Sequence, residues 1–172
     1  MNVLSLFDGI SCGQIALNRA CIQYDNYYSS EIDQNAIKIT QANYKNTIQL
    51  GDVVNIKSEN LPKIDLIIGG SPCQGFSQAG KKLNFKDPRS KLFFEFVRLL
   101  KEINPRYFLL ENVKLNKNSR EIITNCLGVQ PIEINSNLVS AQNRSRYYWT
   151  NIPNVTKPID KKVVLGDIID LS

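Results

Sequence analysis

The stretch Val3-Leu4-Ser5-Leu6-Phe7-Asp8-Gly9-Ile10-Ser11-Cys12-Gly13 runs from a short apolar segment into a glycine-containing turn, and an amphipathic segment over residues 14–20 follows it. An apolar run of strand length, a glycine turn and then helical periodicity is the opening of a βα unit. In a doubly wound sheet, nucleotides bind where such a turn leaves the carboxyl end of the first strand, because the backbone can approach a ligand closely there.

The same alternation continues outward along the chain. Apolar runs at 27–30, 66–68 and 107–110 are followed by amphipathic segments at 34–44, 91–103 and 119–126. This predicts an α/β fold, a doubly wound and mostly parallel sheet with helices on both faces. The segment 91–103 is the clearest helix: Leu92, Phe93, Phe96, Leu99, Leu100 and Ile103 recur at helical spacing, and Asn104-Pro105 stops it. Residues 146–149 are aromatic and favour a strand, 151–162 with Pro153 and Pro158 read as an extended connector, and 163–169 read as a last strand or a short helix.

The chain has 172 residues, 42% hydrophobic and 22% charged, which predicts one compact domain. No apolar stretch is long enough to span a membrane, and Met1 leads straight into the first strand, so a soluble, intracellular and cytoplasmic protein is expected. Cys12, Cys21, Cys73 and Cys126 have neither zinc-site spacing nor disulfide-scaffold density and read as reduced thiols. There is no histidine, which excludes Ser-His-Asp and Cys-His catalysis and histidine-ligated metal sites. A net charge of +5 is a mild lean toward a polyanionic partner.

Residues able to carry chemistry fall at the ends of the predicted strands. Glu31 ends the second, where an acid accepts hydrogen bonds from ribose hydroxyls. Gly51-Asp52 ends the third, where a carboxylate can accept from the amino group of adenine. This spacing suits any adenosine-containing cofactor, a nucleotide-dependent oxidoreductase included, and also a purely structural turn. The fourth strand, 64–68, opens into Gly69-Gly70-Ser71-Pro72-Cys73-Gln74-Gly75-Phe76-Ser77. A cysteine behind a proline in a glycine-rich loop at that edge is exposed and rigidly held, unlike a buried structural cysteine. The fifth strand, 106–110, ends in Glu111-Asn112-Val113, which offers a general acid at the same edge or, more plainly, a helix N-terminal charge.

Read in order, LFDGISCG, SEID, GDV, GGSPCQGFS, LFFEFVRLL, LLENV and SAQNRSRYYW resemble the successive motifs of the DNA (cytosine-5)-methyltransferases. The resemblance runs from Val3 to Asn151 and is closest to the animal de novo branch and similar phage and bacterial enzymes. It implies a Rossmann-like S-adenosylmethionine-dependent methyltransferase fold and methylation of carbon 5 of cytosine in double-stranded DNA, the chemistry of restriction-modification systems. By resemblance, Cys73 is the nucleophile, attacking a base flipped out of the duplex, and Glu111 is the acid. Arg144 and Arg146 bind the base and orient the catalytic groups, and Gln142 supports them.

The cofactor contacts fall by the same resemblance on Phe7, Asp8, Gly9, Ile10, Glu31, Ile32, Asp52, Val53, Pro72 and Leu92. Phe7 stacks on the adenine, the turn through Asp8, Gly9 and Ile10 cradles the cofactor, Glu31 holds the ribose, and Asp52 with Val53 holds the adenine. The turn departs from the family pattern, with Ser11-Cys12 where many bacterial members carry further glycines. The basic segment 81–91 reads as a strand-holding loop or as an ordinary solvated one. Members continue beyond the arginine motif into a target-recognition region, so residues 1–172 are expected to be a catalytic core truncated before it. A second polypeptide or a C-terminal region would then supply recognition. The alternatives are an accessory or inactive fragment that binds without turnover, and an RNA cytosine-5 methyltransferase.

Overall fold

The computed structural model of the chain describes residues 1–72 and 88–169. Strands β1 (Asn2–Leu6), β2 (Asn26–Ser30), β3 (Ile48–Gln49), β4 (Leu66–Gly69), β5 (Tyr107–Val113), β6 (Ile132–Asn135) and β7 (Ser145–Thr150) form one seven-stranded sheet in the order β3-β2-β1-β4-β5-β7-β6. Helices α1 (Cys12–Arg19), α2 (Gln34–Asn43), α3 (Pro88–Ile103) and α4 (Lys117–Leu127) connect it. Strands β1 to β5 are mutually parallel, while β7 runs antiparallel to both β5 and β6. The expected doubly wound, mostly parallel sheet is what forms.

Successive side chains on a strand point to opposite faces, and the core divides accordingly. Leu4, Leu6, Ile67, Phe108, Leu110, Tyr147 and Trp149 join Phe93, Phe96 and Leu99 of α3 and Ile123 and Leu127 of α4 in the larger cluster. Val3, Tyr27 and Leu66 pack with Leu17 of α1 on the other face. A parallel sheet covered on both faces needs apolar residues at consecutive positions, which is why Val3, Leu4 and Leu6 are all buried.

Local chemistry sets the element ends. The Asp33 side chain accepts from the backbone N–H groups of Asn35 and Ala36 at the start of α2, and Asn116 accepts from Ser119 at the start of α4. Gly128, at φ 71°, takes the left-handed conformation that ends α4.

Several sequence readings change. Helix α1 begins at Cys12, two residues earlier than the periodicity indicated, and α3 and α4 also begin earlier than expected, at Pro88 and Lys117. Strand β3 stops at Gln49, ahead of Gly51-Asp52, because Gly51 turns the chain at φ 74° and Asp52 caps a 3-10 turn over Val53–Asn55. Strand β5 extends to Val113, because β7 pairs with Leu109 through Val113; Glu111 is therefore a strand residue and not a helix N-terminal charge. Strand β6 was not anticipated, since its four residues Ile132–Asn135 are all only partly buried. Residues 163–169 contain a 3-10 turn, Leu165–Asp167, in keeping with the short-helix reading. Among the described residues no helix is long and apolar enough to cross a membrane.

The order in which strands are added reverses between β1 and β4, and Gly69 sits beside that point. A Cβ there would lie 2.9 Å from the Leu6 carbonyl oxygen and 3.1 Å from the Phe96 ring. Gly69→Ala should destabilise the fold by about 1–3 kcal/mol, the usual cost of overpacking. Gly166→Ala, whose Cβ meets nothing within 4 Å, should stay within about 0.5 kcal/mol of the parent. Urea denaturation of both variants checks the difference.

Candidate active site

At the carboxyl edge of β1, β2 and β4 the structure has a cavity of about 360 Å³, lined by Phe7, Ser30, Glu31, Ile32, Asp52, Val53, Gly70, Pro72 and Leu92. Seven of the ten expected cofactor residues line it: Phe7, Glu31, Ile32, Asp52, Val53, Pro72 and Leu92. Asp8, Gly9 and Ile10 do not. The Gly9 N–H is taken by Glu31, Ile10 is 46% exposed, and the Asp8 carboxylate is engaged by hydroxyl groups. Ser30 and Gly70 are the lining residues that sequence reasoning missed; the signal for Gly70 was the bare Gly69-Gly70 pair directly after a strand.

Phe7 leaves β1 at φ 58°, and Ser11, which precedes α1, has φ 62°. Left-handed backbone at a non-glycine residue costs on the order of 1–3 kcal/mol and persists only where its surroundings over-determine it. Here they do. The Asp8 N–H donates to the Ser30 carbonyl at 3.1 Å. The Asp8 carboxylate accepts from Ser5 Oγ at 2.6 Å, Tyr27 Oη at 2.8 Å, Ser29 Oγ at 2.9 Å and, in a short contact, Ser11 Oγ. Burial, and then the Asp8 charge, push the Tyr27 phenol far above its ordinary range, so it remains a donor. Ser11 gives its hydroxyl to Asp8 and does not cap α1.

Glu31 bridges two turns. Its Oε2 accepts from Gly9 N–H at 2.7 Å, and its Oε1 accepts from the N–H groups of Ile32 and Asp33 at 2.8 and 2.9 Å. An ionised carboxylate offers about four lone-pair directions. Three are used, which leaves one on Oε2, beside the turn, for an outside donor. Asp52 Oδ1 caps the 3-10 turn through Val54 N–H at 3.1 Å, and Oδ2 has no hydrogen-bond partner among the described residues.

A second cavity of about 200 Å³ shares Phe7 and Gly70 with the first and reaches Asp8, Cys12 and Glu111. Glu111 and Arg146 are diagonal neighbours across the antiparallel β5–β7 pair, where Glu111 faces Tyr148 and Val113 faces Arg146. Arg146 Nε lies 2.8 Å from Glu111 Oε1. That nitrogen is off the hydrogen-bonding line, so the pairing is ionic more than directional. Arg146 Nη1 also donates to the Ser145 carbonyl at 2.8 Å. A Cβ on Gly70 would sit 3.1 Å from Glu111 Oε2, so the bare glycine makes room for the carboxylate.

Asn112, 2% exposed, donates from Nδ2 to the carbonyl and hydroxyl oxygens of Ser71 at 3.3 Å, tying β5 to the loop after β4. Arg144, exposed just before β7, is held through its backbone by Asn135 Oδ1, and Gln142 accepts from Ser136 Oγ through its carbonyl. Neither is brought into contact with Glu111. Cys73 and residues 81–87 of the basic segment lie outside the described residues; Pro72, just ahead of Cys73, lines the cofactor-sized cavity.

The family described as C-5 cytosine-specific DNA methylase matches residues 1–129. The chain belongs to that family. It is 46% identical over 116 residues to the orphan methyltransferase M.Rho11sI of Bacillus phage rho11s, covering 66% of this chain and 23% of that protein. It is 36% identical over 189 aligned residues to the type II methyltransferase M1.ScrFI of Lactococcus lactis subsp. cremoris, covering 98% of this chain and 48% of that one. The chain thus spans less than half the length of either relative. Among solved structures, S. pombe Dnmt2 methyltransferase superposes with a TM-score of 0.71 at 25% identity, over 87% of this chain and 50% of that one. The cavity lies at the carboxyl edge of the parallel strands, where open α/β sheets bind their ligands.

Tyr148, opposite Glu111, reports on the ion pair. Burial and then the Glu111 charge raise its phenol above the ordinary 10.0, and Arg146 and Arg144 partly oppose this. A raised folded-state value means that the neutral phenol contributes stability fully below pH 10 and loses it as pH rises through the raised value. Glu111→Gln should move Tyr148 ionisation downward; ultraviolet difference titration against Tyr148→Phe measures it.

Proposed function

We propose that the chain is the cofactor-binding and catalytic part of an enzyme that methylates carbon 5 of cytosine in double-stranded DNA, with S-adenosylmethionine as donor. The observation that carries this is one continuous site: a cavity lined by Phe7, Glu31, Asp52, Val53, Pro72 and Leu92 that adjoins, through Phe7 and Gly70, the cavity reached by Glu111. The residues fit the cofactor. An aromatic face and apolar neighbours suit adenine, the free lone pair of Glu31 Oε2 suits a ribose hydroxyl, and Asp52 Oδ2 suits an exocyclic amino group.

When bound, S-adenosylmethionine supplies an electrophilic methyl group. The chain supplies the activation that carbon 5 of cytosine lacks. The Cys73 thiolate adds to carbon 6 and places electron density on carbon 5, while Glu111 interacts at ring nitrogen 3 and limits the charge that builds there. Arg146 keeps Glu111 oriented through their ion pair, and Arg144 meets the base from the exposed side. After carbon 5 is alkylated its proton leaves to solvent, the carbon 6–sulfur bond breaks, and the thiolate returns. Carbon 6 is shielded in a stacked duplex, so the base must rotate out, at a cost of a few kcal/mol. Lysines and arginines near the cleft contact phosphates, and a partner chain or further sequence supplies base recognition.

Calorimetry should show S-adenosylmethionine binding to the chain and about tenfold weaker binding by Phe7→Ala, the worth of one aromatic stack on a base; absence of binding sinks the assignment. Cys73→Ser should abolish methyl transfer and leave folding intact. A 5-fluorocytosine duplex should crosslink at Cys73, and adducts found at Cys12, Cys21 or Cys126 instead would refute it.

A further inference from the structure

Resting on the reading that the cavity takes S-adenosylmethionine, we propose that Asp8 is a positioning residue for the cofactor and not one of its ligands: its carboxylate acts through the turn it holds, presenting Phe7 and orienting the Glu31 carboxylate through the Gly9 N–H. Three sides of the structure meet at this group. Ser5 comes from β1, Tyr27 and Ser29 from β2, and Ser11 from the turn itself, all giving hydroxyl hydrogens to the one carboxylate. Three residues of the span so held, Phe7, Gly9 and Ser11, are in left-handed backbone. The middle one, Gly9, has an N–H that reaches Glu31 at 2.7 Å and a carbonyl that accepts from Thr40 Oγ1 of α2 at 3.3 Å. Released from Asp8, the turn would carry Phe7 and the Gly9 N–H with it, so the stacking face and the Glu31 carboxylate are both set by the same charge.

Asp8→Asn removes the charge and turns one of the two acceptor oxygens that four hydroxyls share into a donor, yet that change alone does not separate positioning from contact, because Asp8 also borders the second cavity. Two of its donors do separate them. Tyr27 and Ser29 line neither the first cavity nor the second, and both are buried. If Asp8 acts through the turn, removing either donor loosens the same element and weakens the same binding. If Asp8 instead faces the positive sulfonium, only its own charge matters, and only for the cationic ligand.

The experiment is calorimetric titration of the full chain and of Asp8→Asn, Tyr27→Phe and Ser29→Ala with S-adenosylmethionine and, separately, with its neutral thioether product S-adenosylhomocysteine. Each variant should lose about fivefold in affinity, the worth of one net hydrogen bond, by the same factor for both ligands. Asp8→Asn combined with Tyr27→Phe should lose less than the product of the two, since both act on one element. Should Asp8→Asn fail to fold by circular dichroism, the two donor variants carry the comparison. Loss by Asp8→Asn for S-adenosylmethionine alone, or donor variants that bind as the parent does, would overturn the positioning role. A parent chain that binds neither ligand overturns the cofactor reading itself, and this inference with it.

Discussion

A negative charge at the first strand-to-helix turn must be compensated where it stands, and the compensation organises the edge of the sheet. Asp8 follows the last residue of β1 by two positions, and its carboxylate is half-enclosed between β1, β2 and α1. A carboxylate leaving water is tolerable only when its lone pairs are taken. Hydroxyls from β1, β2 and the turn take them, and those bonds hold the backbone of Phe7 and Ser11 in conformations an unrestrained chain avoids. The turn is consequently stiff before any ligand arrives. Stiffness there matters because ordering costs not met at binding are retained as affinity.

Close packing behind the turn depends on absent side chains. A Cβ on Gly13 would lie 2.4 Å from Ile68 Cδ1 and 2.5 Å from Tyr27 Oη, so α1 lies flush on the sheet only because glycine occupies that place. Gly69 does the same between β1, β4 and α3, and Gly70 clears space for Glu111. The Ser11-Cys12 departure from the glycine-rich pattern is absorbed without loss of this packing. Ser11 carries the left-handed backbone that a glycine would adopt freely, and its hydroxyl meets Asp8.

The Glu111 carboxylate is positioned from the other half of the sheet. Strand β5 lies beside β4 in parallel and beside β7 in antiparallel register, so Glu111 is placed by one pairing next to Gly70 and by the other next to Arg146. Asn112, pointing to the opposite face of the same strand, is buried and holds Ser71. Adjacent residues of a strand thus meet two successive residues of the loop after β4, Glu111 beside Gly70 and Asn112 on Ser71.

Much of this was legible in the chain order of residue types. Apolar runs alternating with amphipathic ones predict the parallel sheet, because both faces must be covered. The acids Glu31 and Asp52 were read as adenosine contacts from their place after the predicted strands, and the aromatic Phe7 from motif resemblance, and all line one cavity. Local patterning could not place Asp8, since a carboxylate after a strand reads alike whether it meets a ligand or four hydroxyls, two of them from the distant Tyr27 and Ser29. Nor could it give β6, where every residue is half-buried and alternation is faint, or the extension of β5, which exists only because β7 returns antiparallel alongside it. Periodicity records which face a residue must bury and so determined the elements and their class. Which strand lies beside which, and therefore that Arg146 meets Glu111 and Tyr27 meets Asp8, is decided by pairing between residues far apart in the chain, and only the tertiary structure contains it.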